Sequence, residues 1–306
     1  MKKLLITIAA TALLFFVADR TLGLALGWLY SRSNATDEYK VSATCTETTA
    51  PVLFMGSSRC LHHYVPQVFQ QVLGQPCFNA GDWGIKNIYY HYGLLSNVLT
   101  RYTPQTIVLE VHPSEWLALP FSGPERAGTL APYCGMSQGC DSMLRLAGSY
   151  WPYRLSHVYR YAGTLPNLVA GRWGPMDRSL GGWRPLDGQI DTVGVEPEQF
   201  PFDQDGDRIQ LLNRFADLCR QHHIRLVLAV SPMYVCADDD TFAFIRDFGR
   251  RRGLTVLDHF RDTAFVGHRD LFFDRGHLNR KGALRFSQVL AKEMGGAPGN
   301  RYCFVW

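Results

Sequence analysis

Gly56, Ser57 and Ser58 directly follow the short apolar run 52–55, and this order of residues suits a nucleophilic serine. Glycine permits a sharp turn after a strand. A serine at the start of the following helix then exposes its hydroxyl near backbone N–H groups and the positive end of the helix. Serine in this position is also a common N-cap, which is a purely structural role. The segment therefore indicates a nucleophile only if the chain also supplies a base.

A candidate base lies near the other end of the chain. Asp274 precedes His277 by three residues, in a turn just before the helical run 280–290. This spacing can place the carboxylate against one ring nitrogen of the histidine. The other nitrogen then faces outward and can take a proton from a serine hydroxyl. Aspartate is also a frequent helix cap, so this motif too has a structural interpretation.

The elements that would position these residues alternate along the chain. Continuous apolar runs, typical of strands buried on both faces, lie at 52–55, 77–79, 106–111, 225–230 and 255–257. Apolar residues recur at helical spacing in 64–73, 87–102, 208–222, 241–251 and 279–294. Strands that alternate with helices form a parallel sheet covered on both faces. The sequence therefore predicts a three-layer α/β/α sandwich of flavodoxin-like type with a five-stranded parallel sheet.

Residues 117–207 interrupt this alternation. The segment is rich in Gly, Pro, Trp and Tyr and is too long for a plain loop in a compact domain. We expect an insertion that packs beside the carboxyl edge of the sheet and shapes a substrate cleft. Trp151, Trp173 and Trp183 could stack on sugar rings there, or they could fill a small core of their own.

The first and last motifs resemble blocks of the SGNH (GDSL-like) hydrolase superfamily. Residues 55–58 are similar to its first block, usually Gly-Asp-Ser, with Ser58 at the nucleophile position and Ser57 in place of the aspartate. Asp274 and His277 match the last block, where a proline usually follows the histidine. The resemblance implies a catalytic triad of Ser58, Asp274 and His277.

A segment between these motifs is similar to the second block of the same superfamily. Residues 78–84 end in a glycine, and in the family a glycine at this place donates its N–H to the oxyanion hole. Gly84 is the better match and Gly81 is the alternative. The resemblance thus implies that the N–H groups of Ser58 and Gly84 hold the oxyanion.

The third block departs from the family pattern. A strand followed by Gly-x-Asn-Asp is expected, and the asparagine side chain is an oxyanion donor. Here His112, Pro113 and Ser114 follow the strand candidate, and Ser114 is the nearest positional match. Loss of one oxyanion donor typically costs about 100-fold or more in rate. Either Ser114, His112 or a donor from the insertion replaces the asparagine, or the enzyme is weak.

The N-terminus has the pattern of an export signal that stays attached. Lys2 and Lys3 precede the apolar run 4–17, and a second apolar stretch spans 22–30. Together the two stretches reach membrane-spanning length, and the lysines favour a cytoplasmic N-terminus. An uncleaved signal anchor is the preferred interpretation, ahead of a cleaved signal peptide and a cytosolic core helix. We therefore expect a membrane-anchored protein whose catalytic domain lies on the periplasmic side.

The sequence predicts that the chain has three parts. They are a signal anchor at 1–30, a polar Ser/Thr-rich stalk at 31–50 and an SGNH-like domain at 51–306. The cysteines offer a further inference, because export permits disulfides. Cys134 and Cys140, six residues apart, are the expected local pair, and Cys45 with Cys303 is a weaker candidate.

Composition excludes several other function classes. The chain has 306 residues, 46% of them hydrophobic, which suits one globular domain. The net charge is only +4, and Arg250, Arg251 and Arg252 form the one dense basic group, so nucleic acid is not an expected partner. No cysteine or histidine group has zinc-ligand spacing. The chemistry requires neither a metal nor another cofactor.

Ester chemistry is the function that the resemblance implies. We expect a serine esterase or O-acyltransferase of the cell envelope that acts on an acylated polysaccharide, another surface glycan or a small ester. The altered third block also fits a catalytically inactive accessory or carbohydrate-binding subunit of a polymer acylation or export system. A lipase or thioesterase is a further alternative, and it would need an apolar acyl channel.

Overall fold

The computed structural model of the protein describes residues 1–84, 86–112, 115, 122–170, 175–191, 206–235 and 242–295. Of the residues singled out by the sequence, Ser114, Trp173 and Cys303 lie outside these ranges.

A five-stranded parallel sheet forms the centre of the fold. Its strands are β1 (Val52–Met55), β2 (Cys77–Asn79), β3 (Thr106–Glu110), β4 (Arg225–Val230) and β5 (Thr255–Asp258). They lie in the order β2-β1-β3-β4-β5. Residues alternate between two cores, so that Leu53 faces one layer and Phe54 the other. The predicted strands and the predicted α/β/α class are confirmed.

Helices cover both faces of this sheet. The helices are α1 (Lys2–Arg32), α2 (Thr36–Ser42), α3 (Ser58–His63), α4 (Pro66–Leu73), α5 (Ile88–Val98), α6 (Gln138–Leu146), α7 (Tyr150–Leu155), α8 (Leu165–Ala170), α9 (Gly206–Gln221), α10 (Ala243–Arg252) and α11 (Arg280–Gly295). Helices α5, α9 and α10 pack on one face, and α3, α4 and α11 pack on the other. The strand order reverses direction between β1 and β3, which is where open α/β sheets bind ligands, beyond the carboxyl ends of the strands.

The described parts of the insertion are helical and lie on both sides of the sheet. A 3-10 helix (Pro124–Tyr133) and α6 pack against α5, where a Cβ at Gly93 would come within 2.7 Å of Leu130. Further along the chain, Trp183 is buried and its indole N–H donates to the His62 carbonyl (2.8 Å). Trp183 therefore fills the core, whereas Trp151 is 66% exposed.

The segment 31–50 differs from the polar stalk that we expected, because it packs against the domain. Helix α2 and a π-helical turn (Ala43–Glu47) occupy most of it, and Tyr39 and Val41 are buried in the core. Lys40 is also buried, and its ammonium donates to the carbonyl oxygens of Asn79 and Gly182. The polar composition of the segment did not predict this packing. A buried lysine needs hydrogen-bond acceptors, and here they are carbonyl groups that lie far from Lys40 in the sequence.

The expected disulfide between Cys134 and Cys140 does not form in the structure. Both side chains are buried, and both thiols are free, as is that of Cys45. A spacing of six positions satisfies the sequence requirement for a local bridge but says nothing about the direction in which each Cβ points.

We predict that Cys134 and Cys140 react with iodoacetamide only after denaturation, and that no reductant is needed. In the native protein both thiols are shielded, and burial raises the pKa of the Cys140 thiol to about 12, so little reactive thiolate is present. Peptide mass mapping of protein unfolded in guanidinium, with and without dithiothreitol, measures this. The buried Cys219 is the matched control. A peptide pair that becomes alkylated only after dithiothreitol treatment would contradict the prediction.

Candidate active site

The turn between β1 and α3 places Ser58 at the carboxyl edge of the sheet. Ser58 is the first residue of α3, and Ser57 is its N-cap. Gly56 allows this turn to approach its neighbours closely, because a Cβ there would lie 2.7 Å from the Cβ of Cys60 and 2.8 Å from that of Glu110. Any larger residue would push α3 away from β3. The glycine therefore sets the position of the serine.

Ser58, His277 and Asp274 form a continuous hydrogen-bonded chain. Ser58 Oγ lies 2.8 Å from His277 Nε2. The other ring nitrogen, Nδ1, lies 2.9 Å from Asp274 Oδ2 and 3.0 Å from Oδ1. A carboxylate can only accept, so Nδ1 carries the proton and Nε2 can take the proton of the serine hydroxyl. The structure thus brings together all three residues of the proposed triad.

A tight turn fixes Asp274 relative to the histidine. Asp274 Oδ1 accepts from the backbone N–H groups of Gly276 and His277, both at 2.8 Å. Burial acts to raise the pKa of Asp274, but the hydrogen bonds from the His277 ring and from these two N–H groups outweigh it, and the pKa lies below its usual value. The carboxylate therefore stays ionised and can stabilise a positive charge on the ring.

The adjacent histidines of α3, His62 and His63, are both buried. His63 Nε2 accepts from the Leu278 N–H at 2.9 Å, next to the triad histidine. Burial lowers the pKa of His63 well below its usual value, so the ring is neutral and able to accept. The ring of His62 lies 5.6 Å from that of His277. The sequence did not predict these contacts of His62 and His63. The partners lie in α11, in the turn before it and in the insertion, all far away in the chain.

A buried ion pair lies beneath the catalytic turn. Arg59 Nε is 3.1 Å from Glu110 Oε1, at the end of β3, and the Arg59 guanidinium also donates to the Ser231 carbonyl, directly after β4. Arg59 thus binds a neighbouring carboxylate inside the protein. The pair ties α3 to the ends of two neighbouring strands.

Asn79, at the end of β2, holds the other side of α3. Its amide nitrogen donates to the carbonyl oxygens of Cys60 (2.7 Å) and Tyr64 (2.8 Å), and its side-chain oxygen accepts from the Gly81 N–H (2.9 Å). The Cys60 carbonyl also accepts from the N–H of Tyr64, the C-cap residue, so Asn79 completes the bonding of the last turn of the helix. Sequence reasoning did not single out Asn79. The sequence feature that could have identified Asn79 is a polar residue at the end of a buried strand.

The two glycines of the second block have different surroundings. A Cβ at Gly81 would lie 2.5 Å from the Leu61 nitrogen, so Gly81 packs against α3, and its N–H is already bonded to Asn79. Gly84 is exposed, has a φ of 72° and faces open space. This contrast favours Gly84 as the oxyanion donor, which stays a prediction.

The residues after β3 include the third candidate donor. Ser114 lies outside the described residues. His112 directly precedes that gap, and burial together with the nearby Arg59 and His277 lowers its pKa well below the usual value. A neutral His112 ring can donate one N–H. Among the described residues, no group of three or more His, Cys, Asp or Glu side chains could hold a metal ion.

Comparisons with known proteins give few matches. No protein-family model and no curated protein matches the chain. Among solved structures, a lipolytic protein of the G-D-S-L family from Desulfitobacterium hafniense is similar, with 11% identity and a TM-score of 0.40 over 79% of this chain and 98% of that one. A gut microbial diltiazem-metabolizing enzyme gives 12% identity and a TM-score of 0.37, over 79% of this chain and 46% of that one. Similarity at this level carries no argument about substrate or reaction.

We predict that His63 sets the reactivity of Ser58 through the Leu278 N–H. His63→Leu leaves that buried N–H without an acceptor, which costs about 1–3 kcal/mol and lets the turn that carries His277 shift. A shift of this kind lowers rates by roughly ten-fold to a hundred-fold. The rate at which a fluorophosphonate labels Ser58 measures the effect.

The matched control is His63→Gln, whose side-chain oxygen can accept the same hydrogen bond and should restore part of the rate. Melting temperatures of both variants separate unfolding from mispositioning. Labelling of folded His63→Leu at the wild-type rate would show that this bond does not position the base.

Proposed function

We propose that the protein is a serine hydrolase that cleaves ester-linked acyl groups, or transfers them to a hydroxyl acceptor. One observation carries the proposal. The 2.8 Å contact between Ser58 Oγ and His277 Nε2 continues through Nδ1 to a carboxylate at 2.9 Å, which is the arrangement that activates a serine. The group lies at the carboxyl ends of parallel strands, where this class of fold binds ligands.

The geometry supports a two-stage reaction. His277 Nε2 takes the proton of Ser58 as Oγ attacks the carbonyl carbon of the ester, and Asp274 stabilises the imidazolium that forms. The tetrahedral intermediate collapses, its C–O bond breaks and His277 returns the proton to the leaving alkoxide. Water or an acceptor hydroxyl then attacks the acyl-serine by the same proton path. The products are an acid, or a new ester, and free enzyme.

The oxyanion of the intermediate requires donors that are already in place. The backbone N–H groups of Ser58 and Gly84 are proposed for this role, with Ser114 or the neutral His112 in place of the asparagine of the third block. Each such donor contributes about 100-fold or more to the rate. Arg59 is not proposed as such a donor, because its buried guanidinium pairs with Glu110 and donates to the Ser231 carbonyl beneath the turn.

The cell envelope is the proposed location, and an acylated surface glycan is the proposed substrate. Helix α1 is long and apolar enough to cross a membrane, and its spanning window is not buried within the protein. Lys2 and Lys3 at its start favour a cytoplasmic N-terminus and a periplasmic domain. The glycan rests on analogy with membrane-tethered SGNH-like proteins that modify envelope polymers, which is weaker support than the site geometry. Partners from an envelope acylation or export system are part of the same proposal.

We predict that Ser58→Ala abolishes hydrolysis of p-nitrophenyl acetate, with a loss of roughly 10⁴-fold or more. Ser57→Ala should lose far less, because Ser57 is the N-cap residue of α3 and its hydroxyl bonds to Glu115 rather than to the imidazole. His277→Ala should resemble Ser58→Ala, since members of a triad act as a unit. Steady-state kinetics together with mapping of a fluorophosphonate adduct measure this.

Two outcomes separate enzyme from binding module. An adduct on Ser58 alone supports the enzyme. Equal activity of wild type and Ser58→Ala on every ester tried, with no adduct on Ser58, would favour a catalytically inactive accessory protein.

We predict that α1 stays attached to the mature protein and crosses the membrane with its N-terminus inside. Alkaline phosphatase fused after Arg32, the last residue of α1, should be active, whereas β-galactosidase at the same junction should not. Alkaline carbonate should leave the full-length protein in the membrane pellet, and its intact mass should include Met1. An active β-galactosidase fusion would contradict export, and a mature chain that begins after residue 17 would indicate cleavage.

A further inference from the structure

Helix α1 has two parts with different surroundings. Residues 1–17 are all exposed, whereas residues 18–20 are partly covered and Gly23 and Tyr30 are buried. Residues 1–17 contain most of the strongly apolar side chains of the helix, among them Leu13 and Phe15 at 63% and 71% exposure, and the exposed apolar side chains continue beyond them with Leu24 at 71%. The domain therefore begins to hold the helix at about residue 19.

Polar contacts at that point hold the helix to the insertion. The Asp19 carboxylate accepts from the Ser156 hydroxyl at 2.5 Å and from the His157 N–H at 2.9 Å. The Arg20 guanidinium donates to the Leu155 carbonyl at 2.9 Å. Asp19 and Arg20 interrupt the apolar sequence of the helix, and these partners explain how the two charges are satisfied.

The part of α1 that precedes its first contacts with the insertion is shorter than a membrane. Residues 2–17 of the helix measure about 24 Å at 1.5 Å per residue, whereas the hydrocarbon core of a bilayer is about 30 Å thick. A helix that spans the bilayer must therefore be inserted to roughly residue 20. Because Arg20 is bonded to Leu155, insertion to that depth brings the surface of the insertion into contact with the bilayer.

That surface carries large exposed apolar side chains. Trp151 and Leu155 lie four residues apart on α7, and so on one side of it. They are 66% and 68% exposed, and Tyr159, which follows them, is 49% exposed. Trp and Tyr are the residues that favour the headgroup level of a membrane. Contiguous exposed apolar groups on a protein surface mark contact with a partner or a membrane.

The charges near these three residues also suit contact with a membrane. Arg154 lies between Trp151 and Leu155 in sequence and is exposed, and Arg20 lies over the ring of Phe16 at 4.7 Å. The acidic Asp19 is occupied by its bonds to the insertion. An exposed arginine such as Arg154 beside apolar groups favours anionic lipid headgroups.

We infer that Trp151, Leu155 and Tyr159 form a membrane-contact surface, which lies in the interfacial layer of the bilayer that α1 spans. This inference rests on the proposed anchoring by α1. It adds that the domain is held directly against the lipid in one orientation, instead of at the end of a flexible stalk.

Quenching by brominated lipid tests the inference on the full-length protein. The protein is reconstituted into phosphatidylcholine and phosphatidylglycerol vesicles, with and without phosphatidylcholine brominated at carbons 6 and 7. The difference between wild type and Trp151→Phe isolates the emission of Trp151, which should lose most of its intensity in the brominated vesicles. Trp28→Phe is the matched control. Trp28 is on α1 and 56% exposed, but it lies about 12 Å beyond Arg20 along the helix, so its emission should change much less.

An alkaline wash of the same vesicles distinguishes a failure of the contact surface from a failure of the anchoring by α1. Protein that resists the wash while Trp151 is not quenched would overturn the contact surface and leave the anchor in place. Protein that the wash removes would overturn both. Equal quenching of Trp28 and Trp151 would also contradict the inference, because α1 would then lie flat in the interface.

Discussion

Hydrogen bonds between α3 and α11 are the constraint on which the candidate site depends. Leu278 donates its N–H to His63 Nε2 at 2.9 Å, and the Ser287 hydroxyl donates to the His63 carbonyl while it accepts from the Val65 N–H, both at 2.9 Å. These bonds join the end of α3 to the start and middle of α11. Ser58 begins α3 and His277 stands just before α11, so the same bonds bring the proposed nucleophile and the proposed base within 2.8 Å.

Buried polar groups beneath this junction give it a single geometry. The Arg59 and Glu110 side chains are both fully enclosed, and a buried charge that loses its partner costs about 3–5 kcal/mol. Asn79 likewise has its nitrogen and its oxygen occupied. A shift of α3 would leave several of these groups unsatisfied at once. The serine is thus positioned before any substrate arrives, which is the condition for efficient nucleophilic catalysis.

The N-terminal segment belongs to the same network and is not an independent appendage. Lys40 on α2 donates to the carbonyl of Asn79 and to that of Gly182, and Asn79 in turn holds α3. Since Asp19 joins α1 to the insertion, both the helix and the segment that follows it are attached to the domain. Under the membrane proposal, the orientation of the candidate site relative to the bilayer would be set by these contacts.

The sequence by itself determined the sheet and singled out the candidate catalytic residues. Continuous apolar runs such as 52–55 specify strands buried on both faces, because no other element places every residue in a core within so short a length. The Asp274 and His277 spacing is a local property of one turn, so it could be read without knowledge of the fold. The N-terminal apolar helix was visible for the same reason.

Tertiary structure decided every feature that depends on partners distant in the chain. The burial of Lys40, the pairing of Arg59 with Glu110 and the neutral acceptor role of His63 all arise from groups that sequence proximity does not reveal. Free thiols at Cys134 and Cys140 were likewise a matter of direction and packing rather than of spacing. Local patterns report the chemistry that a residue can perform and the element in which it lies. The cost of burying a polar group is met only by a specific partner, and folding selects that partner in three dimensions.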